Sequence, residues 1–159
     1  MNTFWFALNI IALIYILGGY VVLFKVVDEA DEVFARWSKR VKWTWLGFFL
    51  VAASCFLATQ VILTFYTDDD KLDNGALVAS YILLLFSTTV WLPMLVLSKS
   101  YTVLKFVVSA NVVVTAISAV IFTVTLHNVS LTAFGLSLPL VVHVVCWDGM
   151  FWNYQFLTR

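Results

Sequence analysis

The sequence predicts an all-α integral membrane bundle of five transmembrane helices, with one short amphipathic helix on the cytosolic side. Three observations carry that prediction. Of the 159 residues 63% are hydrophobic and 11% charged, with a mean hydropathy of +0.99, whereas soluble domains carry about 25% charged residues and about 45–50% apolar ones. The charges leave residues 1–24, 43–67, 74–98 and 106–147 without a single Asp, Glu, Lys or Arg. The basic residues also divide between alternate loops as eight against one, the asymmetry of a chain with a fixed orientation in a bilayer. Together these exclude a water-soluble globular domain and a disordered chain. A net charge of zero leaves no basic face for nucleic acid.

A bilayer core about 30 Å thick takes roughly 20 helical residues to cross. The first three charge-free runs therefore each make one span, near 3–24, 44–66 and 75–97. The run 106–147 has 42 residues and as one helix would reach about 63 Å, twice the bilayer. It must turn back, and its one polar break is Leu126-His127-Asn128-Val129-Ser130, which gives helices near 103–126 and 130–151. Strands of a membrane barrel would alternate polar and apolar residues, and these runs do not alternate. The whole of 1–159 reads as one membrane domain.

The first helix has no basic flank before it and no small-residue cleavage site, so it reads as an uncleaved anchor with the N-terminus outside. Five spans then gather Lys25, Arg36, Lys39, Arg40, Lys42, Lys99, Lys105 and Arg159 on one side and leave Lys71 on the other. The positive-inside rule places the basic side, with the C-terminus, in the cytosol, matrix or stroma. Trp37, Trp43, Trp45, Trp91, Trp147 and Trp152 cluster near that side, as an interfacial belt would. In the first loop, Val27, Ala30, Phe34, Trp37 and Val41 are spaced 3, 4, 3 and 4, with acids before bases. That pattern predicts an amphipathic helix over about 27–41 lying along the headgroups.

Chemistry-bearing residues are few. His143 falls 13 residues into the fifth span, about 20 Å deep, where an ionisable group is costly and is expected to face protein. Asn111 on the fourth span has a matching depth and is the expected partner, with Gln60 and Asn9 as further buried amides. Asp148 lies five residues beyond His143, about 140° round an α-helix, so the two are not expected to form a dyad, and an ion pair of Asp148 with Lys99, Lys105 or a first-loop cation is expected instead. Ser54/Ala58, Ala76/Ser80, Thr115/Ala119 and Ala133/Ser137 are small pairs suited to close helix packing. Asp69-Asp70-Lys71-Leu72-Asp73 has the spacing of a magnesium-binding motif but no second acidic motif, and reads as a solvated turn without a role in topology.

No hydrolase, zincin, phosphate-loop or potassium-filter motif is present. His127 at the outer edge and His143 in the interior do not match in depth for a bis-histidine haem, and Cys55 and Cys146 do not make a zinc site, so neither haem nor zinc is expected. Bound lipid or pigment stays open. The expected partners are the bilayer and other membrane subunits or further copies of the chain. These features suit a non-catalytic accessory or assembly subunit of a membrane complex. The alternative is a small transporter or channel with His143, Asn111 and Gln60 lining a polar path, and a third reading is a lipid-modifying enzyme built on His143 and Asp148.

Overall fold

A computed structural model describes the backbone of residues 2–26, 37–97 and 102–158, and the side chains of these except 15–26, 92, 93, 95–97, 102 and 155. Every regular element among the described residues is helical. Helix α1 spans Thr3–Val26, α2 Lys39–Phe65, the single turn α3 Asp69–Leu72, α4 Gly75–Leu97, α5 Thr102–Val129 and α6 Leu131–Val142. A π-helical segment, His143–Trp152, continues α6 without interruption, and α7, Asn153–Leu157, follows it.

Polar side chains just ahead of the helices set several of their starts. The Oδ1 of Asn2 accepts from the Trp5 amide at 3.0 Å, Ser38 Oγ from Val41 at 3.3 Å, Asn74 Oδ1 from Ala76 and Leu77 at 3.0 and 3.3 Å, and Ser130 Oγ from Ala133 at 3.3 Å. Each satisfies an amide that the first helical turn leaves without an intrahelical acceptor. The cap at Ser38 starts α2 at Lys39, ahead of the expected position near 44. Lys39 to Val41 therefore belong to the spanning helix, and the remainder of the amphipathic loop helix expected over 27–41 lies, for residues 27–36, outside the described residues. At the other break, His127 and Asn128 stay helical. The reversal is made at Ser130 alone, whose extended backbone (φ −158°, ψ 114°) ends α5 and caps α6.

The helices close into a ring: α1 packs against α2 and α4, α4 against α5, α5 against α6 and the π-helical segment, and these last two against α2. At the Ser130 end the interior holds Trp5, Leu63, Leu77, Tyr81, Phe122, Leu126 and Ala133. At the Trp152 end it holds Trp37, Val108, Val112 and Trp152, flanked by Trp45, Trp91, Met94 and Phe156. Of the small pairs, Ala133 and Ser137 are both fully buried, whereas Ser54 points outward.

Large apolar side chains cover the outside, Ile14, Leu57, Phe86, Val124 and Leu138 among them. Three helical stretches, Lys39–Phe65, Val103–Val129 and Leu131–Trp152, are long and apolar enough to cross a membrane, which gives the chain a membrane location. Hydroxyls on such helices turn back on their own backbone, as Thr59 does to the Cys55 carbonyl at 3.0 Å and Ser118 to Val114 at 2.7 Å. In hydrocarbon that is the acceptor always within reach.

Candidate intramembrane polar site

His143 opens the π-helical segment. It stands four residues after Pro139, whose missing N–H removes one rung of the α6 ladder and leaves the Gly135 carbonyl without its usual partner. Beyond it the backbone bonds widen to the five-residue step, as shown by the Asn153 amide donating to the Asp148 carbonyl. The wider turn brings side chains i and i+5 to within about 50° of each other, where an α-helix would set them about 140° apart. His143 and Asp148 consequently do come together, with Nε2 3.6 Å from Oδ2. The expectation that they could form no dyad is thus corrected by the local helix type.

The imidazole side chain is 4% exposed and the carboxylate 32% exposed. Trp45 of α2 donates its indole N–H to Asp148 Oδ1 at 3.3 Å, while the rings of Trp45 and Phe49 stand 5.6 and 5.7 Å from the imidazole. His143 thus faces protein, and neither of its ring nitrogens has a hydrogen-bond partner among the described residues. The indole is a hydrogen-bond donor to Asp148 that the sequence did not suggest; of the cations expected to pair with it, Lys99, Arg36 and the side chain of Lys25 lie outside what the structure describes. Gly149 makes the turn compact: a Cβ there would lie 3.1 Å from the Val144 carbonyl and 3.7 Å from the Ala116 Cβ of α5.

Asn111 is elsewhere. Its amide donates to the Ser87 carbonyl of α4 at 2.8 Å and so ties α4 to α5 instead of meeting His143. The expected pairing of Asn111 with His143 is corrected by the rotation of α5, which turns Asn111 towards α4. Gln60, buried on α2, has no hydrogen-bond partner for either amide atom among the described residues. It shares one helix face with Phe56 and Thr64, four residues to either side. That face meets a second polar group: Asn9 donates to Thr64 Oγ1 at 3.1 Å, and the Tyr81 hydroxyl donates to Asn9 Oδ1. The four expected residues thus fall in three places, with only His143 and Asp148 in contact.

Tyr81, Thr64 and Trp45 are the participants that sequence reasoning missed. A phenol inside the charge-free, apolar run 74–98 needs an acceptor once it is buried, and that requirement is the signal that marks Tyr81. The Asp69 cluster is an exposed turn that also touches α1. Asp69 accepts from Asn2 Nδ2 at 2.8 Å and so fastens the start of α1 to the α2–α4 connection, and Asp68 pairs with Lys71 at 3.6 Å.

Comparison with protein-family models, with curated proteins and with solved structures finds no match to this chain.

Proposed function

We propose that this chain is a small non-catalytic multi-pass membrane protein that serves as an accessory or assembly subunit of a larger membrane complex. The observation that carries the reading is the filled axis of the helix ring. The rings of Phe56, Tyr81 and Phe122 meet one another there at 5.3 to 6.3 Å, and Trp5 stacks on Tyr81 at 4.9 Å. A transporter or channel would line that axis with a continuous polar path, whereas here Gln60 and the Tyr81 hydroxyl are isolated polar groups beside rings that fill it. Here Asn9 and Asn111 are used between helices, as the glue that holds membrane bundles together. The outward wall of large apolar side chains suits contact with lipid and with neighbouring membrane helices alike.

In this reading the chain crosses the bilayer five times. α1 has 24 residues and α4 has 23, which at about 1.5 Å per residue exceeds the roughly 30 Å hydrocarbon core in both cases. Five crossings put the N-terminus outside and the eight basic residues on the cytosolic, matrix or stromal side. The test is extraction of the tagged protein in several mild detergents, followed by a native mass measurement. A discrete assembly with fixed stoichiometry supports the reading, and an isolated 18.0 kDa chain in all of them overturns it.

A further inference from the structure

We propose that His143 and Asp148 form a single proton-binding site inside the bundle, with one proton held between Nε2 and Oδ2, and that this proton keeps the segment π-helical. The imidazole is 4% exposed, lacks any hydrogen-bond partner among the described residues, and has the carboxylate 3.6 Å away. With the imidazole N–H on Nδ1 and no further proton, the pair is a neutral imidazole beside a carboxylate and buries one net negative charge, an unfavourable arrangement in a low-dielectric interior. With the shared proton the pair is neutral overall, and the Nε2 to Oδ2 separation closes to a hydrogen bond without forming or breaking any other bond. Asp148 Oδ1 is held by the Trp45 indole, which leaves Oδ2 turned to His143.

The helix type is part of the site. In α geometry residues five apart diverge by about 140°, so relaxation of this segment to an α-helix would separate the two groups. The proton and the π-helical turn therefore favour each other. Other titratable or charged groups on the elements around the segment are Lys39, Arg40, Lys42 and Cys55 on α2, Lys105 and His127 at opposite ends of α5, Cys146 on the segment itself and Tyr154 on α7; α4 carries Tyr81 and no charged residue. None of these takes the place of Asp148 at the imidazole, where the recorded contacts are Asp148, Trp45 and Phe49.

The experiment is nitrogen-15 NMR of histidine-labelled protein in phospholipid nanodiscs, in a His127→Gln background so that His143 is the one histidine. It is recorded across pH together with the carbon-13 carboxyl signal of Asp148. The expected result is one transition, with His143 Nε2 and the Asp148 carboxyl moving at a common midpoint and the backbone carbonyls of the segment moving with them. Asp148→Asn should abolish that transition at Nε2. Two separate midpoints in the parent protein overturn the proposal, as does a His143 titration unchanged by Asp148→Asn. The parent titration decides the matter even where Asp148→Asn fails to fold.

Discussion

His143 and Asp148 face each other across a five-residue interval, with Nε2 3.6 Å from Oδ2, because the helix that carries them widens into π geometry at His143 itself. Gly149 is closely packed in that turn, where a Cβ would meet the Val144 carbonyl at 3.1 Å. Gly149→Val should therefore destabilise the bundle by about 1–3 kcal/mol, the range for overfilling a packed site. Gly135 has open space around it, and Gly135→Ala should stabilise by up to about 1 kcal/mol through helix propensity alone. Thermal unfolding in one detergent measures both, and equal behaviour of the two glycines would refute the packing argument.

The bond from Tyr81 to Asn9 is predicted to anchor α1 to the ring. Tyr81→Phe keeps the ring stacked on Trp5 and removes only the hydroxyl, so stability should fall by about 0.6–2 kcal/mol. Asn9→Leu, which also removes the bond to Thr64, should lose at least as much. The double variant should lose less than the sum of the two singles, a non-additivity readable from the unfolding midpoints.

Asn2 acts twice, as the cap of α1 and as the donor to Asp69. Asn2→Ala should cost about 0.5–2 kcal/mol, with faster amide exchange confined to the first turn of α1 and to α3. Asp69→Asn retains an acceptor and should show a smaller effect. Uniform loss of protection across all helices would show that Asn2 supports the whole bundle and not one junction.

Much of this fold was legible from where charges are missing. Charge-free runs locate apolar helices because no soluble or barrel alternative tolerates them, and the 42-residue run had to fold back on length alone. The position of the reversal was less visible. His127 and Asn128 lie at the end of α5, where exposed polar residues remain helical, and the turn depends on the backbone of Ser130. The π-helical segment was not legible at all. Pro139 marks a weak ladder, but the change of helix type appears one turn later, and with it the angle between His143 and Asp148. Partners across helices, such as Trp45 for Asp148 and Ser87 for Asn111, depend on helix rotation, which depth and periodicity leave open.

The proposed five crossings set Asp69 and Lys39 on opposite faces, the arrangement that the basic loops favour. Single cysteines introduced at Asp69 and at Lys39, in a background lacking Cys55 and Cys146, should label from opposite faces with a membrane-impermeant reagent. Labelling of both from one face would leave the five-crossing arrangement untenable.

The most direct test of the assembly role places a photoactivatable amino acid, one site at a time, at the outward-facing Ile14, Leu57, Phe86, Val124 and Leu138, one on each long helix, with Phe122 inside the ring as the control. Irradiation in native membranes should give a discrete protein adduct of constant mass from at least one of the five outward faces, and none from Phe122. Adducts with lipid alone from all five faces would contradict the account.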